Sequence, residues 1–213
     1  MRMAVCIKQV PENLTKTLLP DGRINRDSRG SVINPADIFA LEAALTQKER
    51  HGGQVDVFTM GMETAGNILK EAAALGADRI FLLSDRAFAG ADTYATAIVL
   101  STALRKLGTY NFIFFGRRAI DGETGQVPVQ VAEMLGVSAV TNVVSIETGE
   151  GQILCRRLLE GCVERRKCMT PAVVSVMEGI QGICHPRLPS LAGLRSAAQK
   201  EIILLDRTAL GMP

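Results

Sequence analysis

The sequence predicts an α/β fold with a doubly wound, mainly parallel sheet, additional β segments and a C-terminal extension. Short apolar segments alternate with segments of helical spacing along much of the chain, which is typical of parallel strands joined by right-handed crossovers. The apolar segments are continuous, as expected for strands that helices cover on both sides. The 213 residues, with a hydrophobic content of 47%, are enough for one large core.

The N-terminal two thirds of the chain supply most of the predicted elements. Residues 3–10, "MAVCIKQV", have the composition of a buried strand, and residues 18–33 predict a hairpin around an Asp21–Gly22 turn. Residues 34–53 predict a helix with Asn34 as its N-cap. The alternation continues with predicted strands at 54–60, 79–84 and 111–116 and predicted helices at 63–76, 92–108 and 125–136.

The pattern changes in the last third of the chain. Residues 139–178 contain successive β segments, which predict antiparallel strands or an addition to the sheet edge. The tail from residue 185 begins with two prolines and then permits one helix. We therefore expect an α/β domain at 1–185 and, at 186–213, a loop, a helix and a shortened tail.

Composition and missing motifs exclude several classes of function. A net charge of +2 gives no case for nucleic acid, and no apolar run approaches the ~20 residues that cross a bilayer. Five cysteines without CxxC spacing favour reduced thiols in the cytoplasm over disulfides or a zinc site. The sequence has no P-loop, no dinucleotide fingerprint and no nucleophile elbow. We expect no catalytic residue and no metal site, so a bound cofactor would have to supply the chemistry.

The first candidate site is the loop between the strand predicted at 111–116 and the next helix. Ligands of such sheets bind beyond the carboxyl ends of the strands, and the free N–H groups of a helix start favour phosphate. Asp121 and Glu123 repel phosphate, so they suit ribose hydroxyls or an adenine amino group better. Thr124 can donate a hydroxyl, and three glycines let backbone approach a ligand: Gly116, Gly122 and Gly125. The alternative is an ordinary connection with a glycine turn.

A second loop repeats this arrangement one strand earlier. Asp92 or Thr93 can cap the following helix, and Thr93 and Thr96 share a face from which both can reach one phosphate. The alternative for Asp92, and for Asn34, is a helix cap without a ligand. Three helix starts with polar caps at one sheet edge nevertheless indicate a nucleotide crevice in a Rossmann-like domain.

Several segments match one family of proteins in collinear order over nearly the whole chain. The most specific are "GADTYATA" at 90–97 and "AIDGETGQV" at 119–127. Others are "VCIKQVP" at 5–11, "NPADIFALEAAL" at 34–45, "PAVVSV" at 171–176 and "PRLPSLAGLRSAAQKEI" at 186–202. They resemble the β (small) subunit of electron transfer flavoproteins. The resemblance implies a heterodimer with a larger α subunit that holds one FAD.

The resemblance also implies a nucleotide in the β subunit: AMP in ordinary members, a second FAD in electron-bifurcating ones. It implies adenine contacts at Cys6, at the helix start Asn34–Asp37 and at Met60, and phosphate contacts in the loop at 121–127. The segment 85–97 resembles the bifurcating type, so we expect FAD, with AMP as the alternative. The candidate cofactor-binding residues are Cys6, Asn34, Asp37, Met60, Asp92, Thr93, Thr96, Gly116, Asp121, Gly122, Glu123, Thr124, Gly125, Gln126 and Val127.

The resemblance implies partners as well. A bifurcating member takes a hydride from NADH and passes one electron to a low-potential acceptor such as ferredoxin. Residues 186–202 resemble the recognition loop that docks on acyl-CoA and other dehydrogenases, and Leu191 aligns with its anchoring leucine. The alternative for Leu191 is packing against its own helix. Arg117–Arg118 departs from the family, where a Gln commonly precedes "AID", and adds positive charge beside the crevice.

Three other functions remain open from the sequence. The first is a scaffold subunit in which AMP is structural and electrons never visit this chain. The second is a stand-alone adenine-nucleotide-binding protein, because the chain stops at "LDRTALGMP", where family members usually continue. The third is a nucleotide hydrolase, which would need a nucleophile and a base that the sequence does not offer.

Overall fold

The computed structural model describes residues 1–12, 30–149, 151–183 and 185–212. Most of the hairpin predicted at 18–33 lies outside the described residues. The strands are β1 Arg2–Cys6, β2 Gln9–Pro11, β3 Ser31–Ile33, β4 Gln54–Met60, β5 Arg79–Leu83, β6 Phe112–Gly116, β7 Ser138–Gly149, β8 Gln152–Leu159, β9 Cys162–Met169, β10 Ala172–Val176 and β11 Ile202–Leu205. The helices are α1 Pro35–His51, α2 Gly66–Leu75, α3 Thr93–Leu107, α4 Val127–Leu135, α5 Leu191–Gln199 and α6 Arg207–Leu210.

One nine-stranded sheet organises the described chain, in the order β11-β5-β4-β1-β6-β10-β7-β8-β9. All pairs from β11 to β7 are parallel, whereas β8 and β9 pair antiparallel. The predicted α/β class with a mainly parallel sheet is therefore confirmed. The predicted strand at 3–10 divides into β1 and β2, and β2 pairs with β3 in a separate two-stranded sheet.

Two apolar layers flank the parallel strands, because successive side chains of a strand point to opposite faces. Met3 and Val5 of β1 pack in the layer that contains α1 and α2. Ala4 and Cys6 pack in the layer that contains α3 and α4. Both faces of the central strands are thus buried, which explains why these strands are continuous apolar runs in the sequence.

Two strands lie elsewhere than the sequence predicts. β10 was expected among antiparallel or edge strands, but it is parallel and central, between β6 and β7. All five of its residues are buried, and an apolar run of this length does not reveal the direction of its neighbours. β11 pairs parallel with β5 in a tail for which only a helix was expected. Since β11 belongs to the main sheet, the boundary proposed between 185 and 186 stays a prediction.

Helix length and apolarity also bear on membrane association. Among the described residues, no helix combines the length and the apolar character needed to span a bilayer.

Candidate functional site

A cleft of about 700 Å³ opens at the carboxyl ends of β1, β4, β5 and β6. Its lining comes from the segments that follow these strands and from the first turns of α3 and α4. The free N–H groups and positive dipole ends of two helices therefore point towards one space. This is the edge at which ligands of doubly wound sheets bind.

The two loops predicted to form the site meet in this cleft. The Thr93 hydroxyl at the start of α3 donates a hydrogen bond to Gln126 Oε1 across 3.1 Å and accepts one from Gln130 Nε2 across 3.3 Å. Gln126 is the N-cap residue of α4. A single hydroxyl therefore joins the starts of α3 and α4, two elements that are separate in the sequence.

Asp92 and Thr96 form a cap at the start of α3. The Asp92 carboxylate accepts a hydrogen bond from Ala95 N at 2.8 Å. The Thr96 hydroxyl donates to the carbonyl oxygen of Asp92 at 2.7 Å. Asp92 is thus the N-cap of α3, as predicted, and Thr96 lines the cleft one turn farther along.

Asn34 does not cap α1 with its side chain, contrary to the prediction. Its amide donates to the carbonyl oxygen of Arg118 at 3.0 Å and accepts from Ile120 N at 3.0 Å. The side chain is fully buried and does not belong to the lining of the cleft. Asn34 therefore fixes the loop after β6, because both of its bonds go to backbone groups of that loop.

Asp37 is the buried carboxyl group that joins the ends of β1 and β6. Its oxygens accept hydrogen bonds from Lys8 N at 2.8 Å and Gly116 N at 3.1 Å. Burial raises the pKa of Asp37 from 3.8 to about 7, although these backbone donors and Asn34 act in the opposite direction. The cleft floor consequently contains a carboxyl group that changes charge near neutral pH.

Gly116 lets β6 approach α1 at this point. A Cβ atom on Gly116 would lie 2.6 Å from the carbonyl carbon of Ala36 and 2.7 Å from Asp37 N. These distances are too short for real Cβ contacts. The role of Gly116 is therefore close packing of backbone against the start of α1.

The loop after β6 is also held by charge and by backbone conformation. Lys8 Nζ pairs with the nearly buried Asp121 carboxylate at 2.7 Å. Glu123 and Gly125 have positive φ angles of 51° and 61°, which turn the loop back towards α4. Arg118 and Glu123 form an exposed ion pair at 3.7 Å, and such pairs contribute little stability.

All but two of the predicted cofactor-binding residues line the cleft. They are Cys6, Asp37, Met60, Asp92, Thr93, Thr96, Gly116, Gly122, Glu123, Thr124, Gly125, Gln126 and Val127. The exceptions are Asn34 and Asp121, which bond to the surrounding loops.

Burial raises the pKa of the Cys6 thiol, with Asp37 acting in the same direction, so Cys6 presents a neutral thiol rather than a nucleophile.

Some lining residues were not predicted from the sequence. Lys8 follows β1, and Asp85, Arg86 and Phe88 follow β5 in a single 3-10 turn. Asp85 accepts from Ala87 N at 2.9 Å and from Arg207 N at 3.1 Å. Ligands of such sheets bind beyond the carboxyl ends of the strands, and these residues also follow strand ends. They could therefore have been predicted from their positions in the sequence.

Leu191 lies apart from the cleft, at the start of α5. Its side chain is 78% exposed, and that of Leu188 is 88% exposed, so Leu191 does not pack against its own helix. Lys70 Nζ anchors α5 on α2 by bonding to the carbonyl oxygens of Ala197, Ala198 and Lys200. The fixed helix thus presents an apolar patch to solvent.

Comparison with known proteins places the chain in one family. The chain matches the electron transfer flavoprotein domain over residues 21–210. It is 42% identical to electron transfer flavoprotein subunit beta of Thermoanaerobacterium thermosaccharolyticum, with 100% of this chain and 84% of the relative covered. It is 40% identical to acryloyl-CoA reductase electron transfer subunit gamma of Anaerotignum propionicum, with coverages of 99% and 79%.

A third relative is the caffeyl-CoA reductase-Etf complex subunit CarD of Acetobacterium woodii. It is 36% identical over 100% of this chain and 80% of its own length. These matches agree with the motifs at 90–97 and 119–127 and with the mainly parallel sheet. The chain belongs to the electron transfer flavoprotein family, and its relatives include β subunits of these electron transfer proteins.

Proposed function

We propose that this chain is the β subunit of a heterodimeric electron transfer flavoprotein and that its cleft binds FAD. The contact between Thr93 and Gln126 carries the proposal, because it brings the two predicted phosphate loops to one site. If these loops had been far apart, no single nucleotide could have contacted both.

The residues of the cleft fit an adenine dinucleotide in three respects. A volume of about 700 Å³ lies within the ~300–1,000 Å³ of small-molecule sites. The starts of α3 and α4 offer backbone N–H donors to phosphate. Arg117 lines the cleft and has no ion pair among the described residues, so its charge is free to offset a diphosphate.

The protein side chains would bind and position the cofactor. Thr93, Thr96 and the backbone of the 122–127 segment would hold phosphate, and the ends of β1 and β4 at Cys6 and Met60 would contact the adenine. Bound FAD would supply reversible hydride and single-electron chemistry.

The nucleotide is tested by releasing it from natively purified protein and identifying it by mass spectrometry. Since the resemblance implies one FAD in the α subunit, two FAD per copy of this chain in the purified heterodimer support a redox subunit. One FAD and one AMP support the scaffold subunit, in which electrons bypass this chain. A protein that purifies without any adenine nucleotide, and binds none when FAD or AMP is added, contradicts the proposal.

The redox partners form the second part of the proposal. NADH as donor and ferredoxin as acceptor follow from the likeness to bifurcating members. An NADH-dependent bleaching of the flavin absorbance in the isolated heterodimer, followed by ferredoxin reduction, is the expected observation. Flavin that NADH leaves oxidised would exclude this pair of partners while leaving the nucleotide assignment untouched.

We also propose that Leu188, Leu191 and Leu194 dock on a partner dehydrogenase. The three side chains are exposed on and just before α5, and an exposed apolar patch of this kind marks a protein–protein interaction site. Leu191→Ala should reduce electron transfer to the dehydrogenase about tenfold or more. Leu204→Ala, an equally small change at an exposed leucine of β11, is the matched control and should have no effect.

A further inference from the structure

Arg187 lies in the segment between β10 and α5 and bonds to two carboxylates of α1. Its guanidinium donates to Glu42 from Nε and from Nη2, each across 2.9 Å. It also donates to Glu49, from Nη1 at 2.6 Å and from Nη2 at 3.2 Å. The backbone N–H of Arg187 donates to the Glu42 carboxylate at 3.0 Å. These charge-assisted bonds therefore fix both the side chain and the backbone of Arg187.

The bonds of Arg187 hold the segment 186–189 in place. Pro186 and Pro189 have no N–H group, and in the part of the chain that the structure describes every hydrogen bond of this segment comes from Arg187. The Leu188 side chain is 88% exposed, so packing contributes little to its position. Leu188 therefore keeps its place because the residue before it is bonded to α1.

The helix α5 has its own attachment, which does not involve Arg187. Lys70 of α2 donates to carbonyl oxygens at the carboxyl end of α5. Gly193 packs so closely on α2 that a Cβ atom there would overlap the carbonyl oxygen of Ala74. Loss of the Arg187 bonds should therefore free Leu188 while α5 stays on α2.

Neutralisation of a buried carboxylate explains the bonds of Arg187 only in part. The Glu42 side chain is 10% exposed and needs a counterion. The Glu49 side chain is 61% exposed, so it needs none, yet it takes two further bonds that orient the guanidinium. Four of the five N–H donors of the guanidinium are thus used within the chain. Arg187 consequently has little capacity left to contact a partner directly.

We propose that Arg187 is the positioning residue of the docking patch, which consists of Leu188, Leu191 and Leu194. Its bonds to α1 set the position of Leu188 relative to the two leucines of α5, so that a dehydrogenase meets the three side chains already arranged. A surface that is ordered before binding loses less conformational entropy when it docks. This inference rests on the proposed docking of the patch on a dehydrogenase.

The test measures electron transfer between the heterodimer and an acyl-CoA dehydrogenase of the same organism, with the heterodimer as the varied substrate. Arg187→Ala should raise the KM for the heterodimer about tenfold and leave kcat unchanged, because the freed backbone must be ordered again on docking. Lys48→Ala is the matched control. It also removes one cation of 28% side-chain exposure and breaks an ion pair of α1, with Asp78, and it should leave the KM unchanged.

A double-mutant cycle with Leu188 tests how Arg187 acts. Leu188→Ala should also raise the KM. Adding Arg187→Ala to it should raise the KM little further, because Arg187 acts through Leu188 and the two effects are not independent. Fully additive effects would show that Arg187 does not act through Leu188 and would overturn the proposal.

Glu42→Leu with Arg187→Met separates positioning from stability. Replacement of a buried ion pair by apolar groups is often neutral for stability, so the melting temperature should stay close to that of the wild type. The KM should nevertheless remain raised, because the backbone bond of Arg187 and its bonds to Glu49 are gone. A wild-type KM in this variant would mean that Arg187 only neutralises Glu42, and the positioning role would be wrong.

The remaining outcomes distinguish this proposal from the function on which it rests. If Arg187→Ala leaves the KM unchanged while Leu191→Ala raises it, the patch docks and Arg187 does not position it. If the wild-type heterodimer exchanges no electrons with the dehydrogenase, the docking assignment and the role of Arg187 fall together. The nucleotide released from the chain reports separately on the cleft in both cases.

Discussion

At the amino ends of the parallel strands, the buried Asp56 carboxylate accepts hydrogen bonds from Arg79 at 2.6 and 2.9 Å, from the Tyr110 hydroxyl at 2.7 Å and from Arg2 at 3.4 Å. At the carboxyl ends, Thr93 and Gln126 bond to each other across an open cleft. The amino edge pairs its charge within the chain, whereas the carboxyl edge leaves helix N–H groups and Arg117 facing solvent. Polar groups at the first edge are satisfied within the fold, whereas the second edge has the open cleft where ligands of doubly wound sheets bind.

Asp56→Ala should show the largest effect on stability. Its removal takes the buried shared counterion from the partly exposed Arg2 and Arg79 and the acceptor from the Tyr110 hydroxyl, and the lost charge-assisted hydrogen bonds should cost about 3 kcal/mol. Urea unfolding monitored by circular dichroism measures the change. Asp92→Ala at the opposite edge is the control, since loss of a helix cap costs about 1 kcal/mol. Equal losses at the two sites would remove the contrast between the edges.

The pH dependence at the cleft floor should be of similar size. The folded-state pKa of Asp37 is raised from 3.8 to about 7, so its stabilisation is fully present below pH ~4 and is lost as the pH rises through ~7. The shift corresponds to a change on the order of 4 kcal/mol. The difference in unfolding free energy between wild type and Asp37→Asn, measured from pH 4 to 8, isolates this group. Parallel curves for the two proteins would refute the shift.

Gly116→Ala tests close packing at the cleft. The added Cβ would lie against Ala36 and Asp37, and overpacking of this kind costs about 1–3 kcal/mol. Nucleotide content should fall with stability, because the displaced backbone carries the loop after β6. Gly149→Ala at the end of β7, outside the cleft, serves as control, since a Cβ there would meet only the Gln152 side chain, at an ordinary 3.5 Å. A stable, nucleotide-loaded Gly116→Ala protein would show that this contact does not position the cleft.

Thr93→Val should have the smallest effect on stability and a clear effect on the ligand. It removes the hydroxyl bonded to Gln126 and Gln130 and should cost about 1 kcal/mol or less. Nucleotide affinity, followed by fluorescence titration, should fall about tenfold. Thr102→Val removes a hydroxyl bonded to the Ile98 carbonyl oxygen of the same helix and should leave affinity unchanged. Equal affinities in the two variants would exclude Thr93 from the site.

The sequence predicts the alternating elements well, because each depends on local periodicity. The strand predicted at 54–60 has those bounds in β4, and the helix predicted at 92–108 corresponds to α3. The central position of β10 and the place of β11 in the main sheet depend on which strands pair. The sequence of an apolar strand does not reveal its pairing partners. Strand order therefore had to come from the structure.

The residues of the candidate site also differ in whether local sequence could predict them. Thr93, at a helix start that follows a strand, was predictable from the rule on strand ends, whereas Cys6 was expected only from the family resemblance. The bonds of Asn34 to Ile120 and of Lys8 to Asp121 span 86 and 113 residues of sequence. No local pattern encodes contacts of that range, so Asn34 was expected to act as a helix cap and Asp121 as a ligand contact.

Hydrogen–deuterium exchange of the chain with and without FAD compares the two edges in one measurement. We predict slower exchange with FAD at the amide groups of 93–96 and 122–127, and unchanged exchange around Asp56 and Arg79 at the amino ends of the strands. Exchange that slows elsewhere, with both cleft segments unaffected, would contradict nucleotide binding at the carboxyl edge.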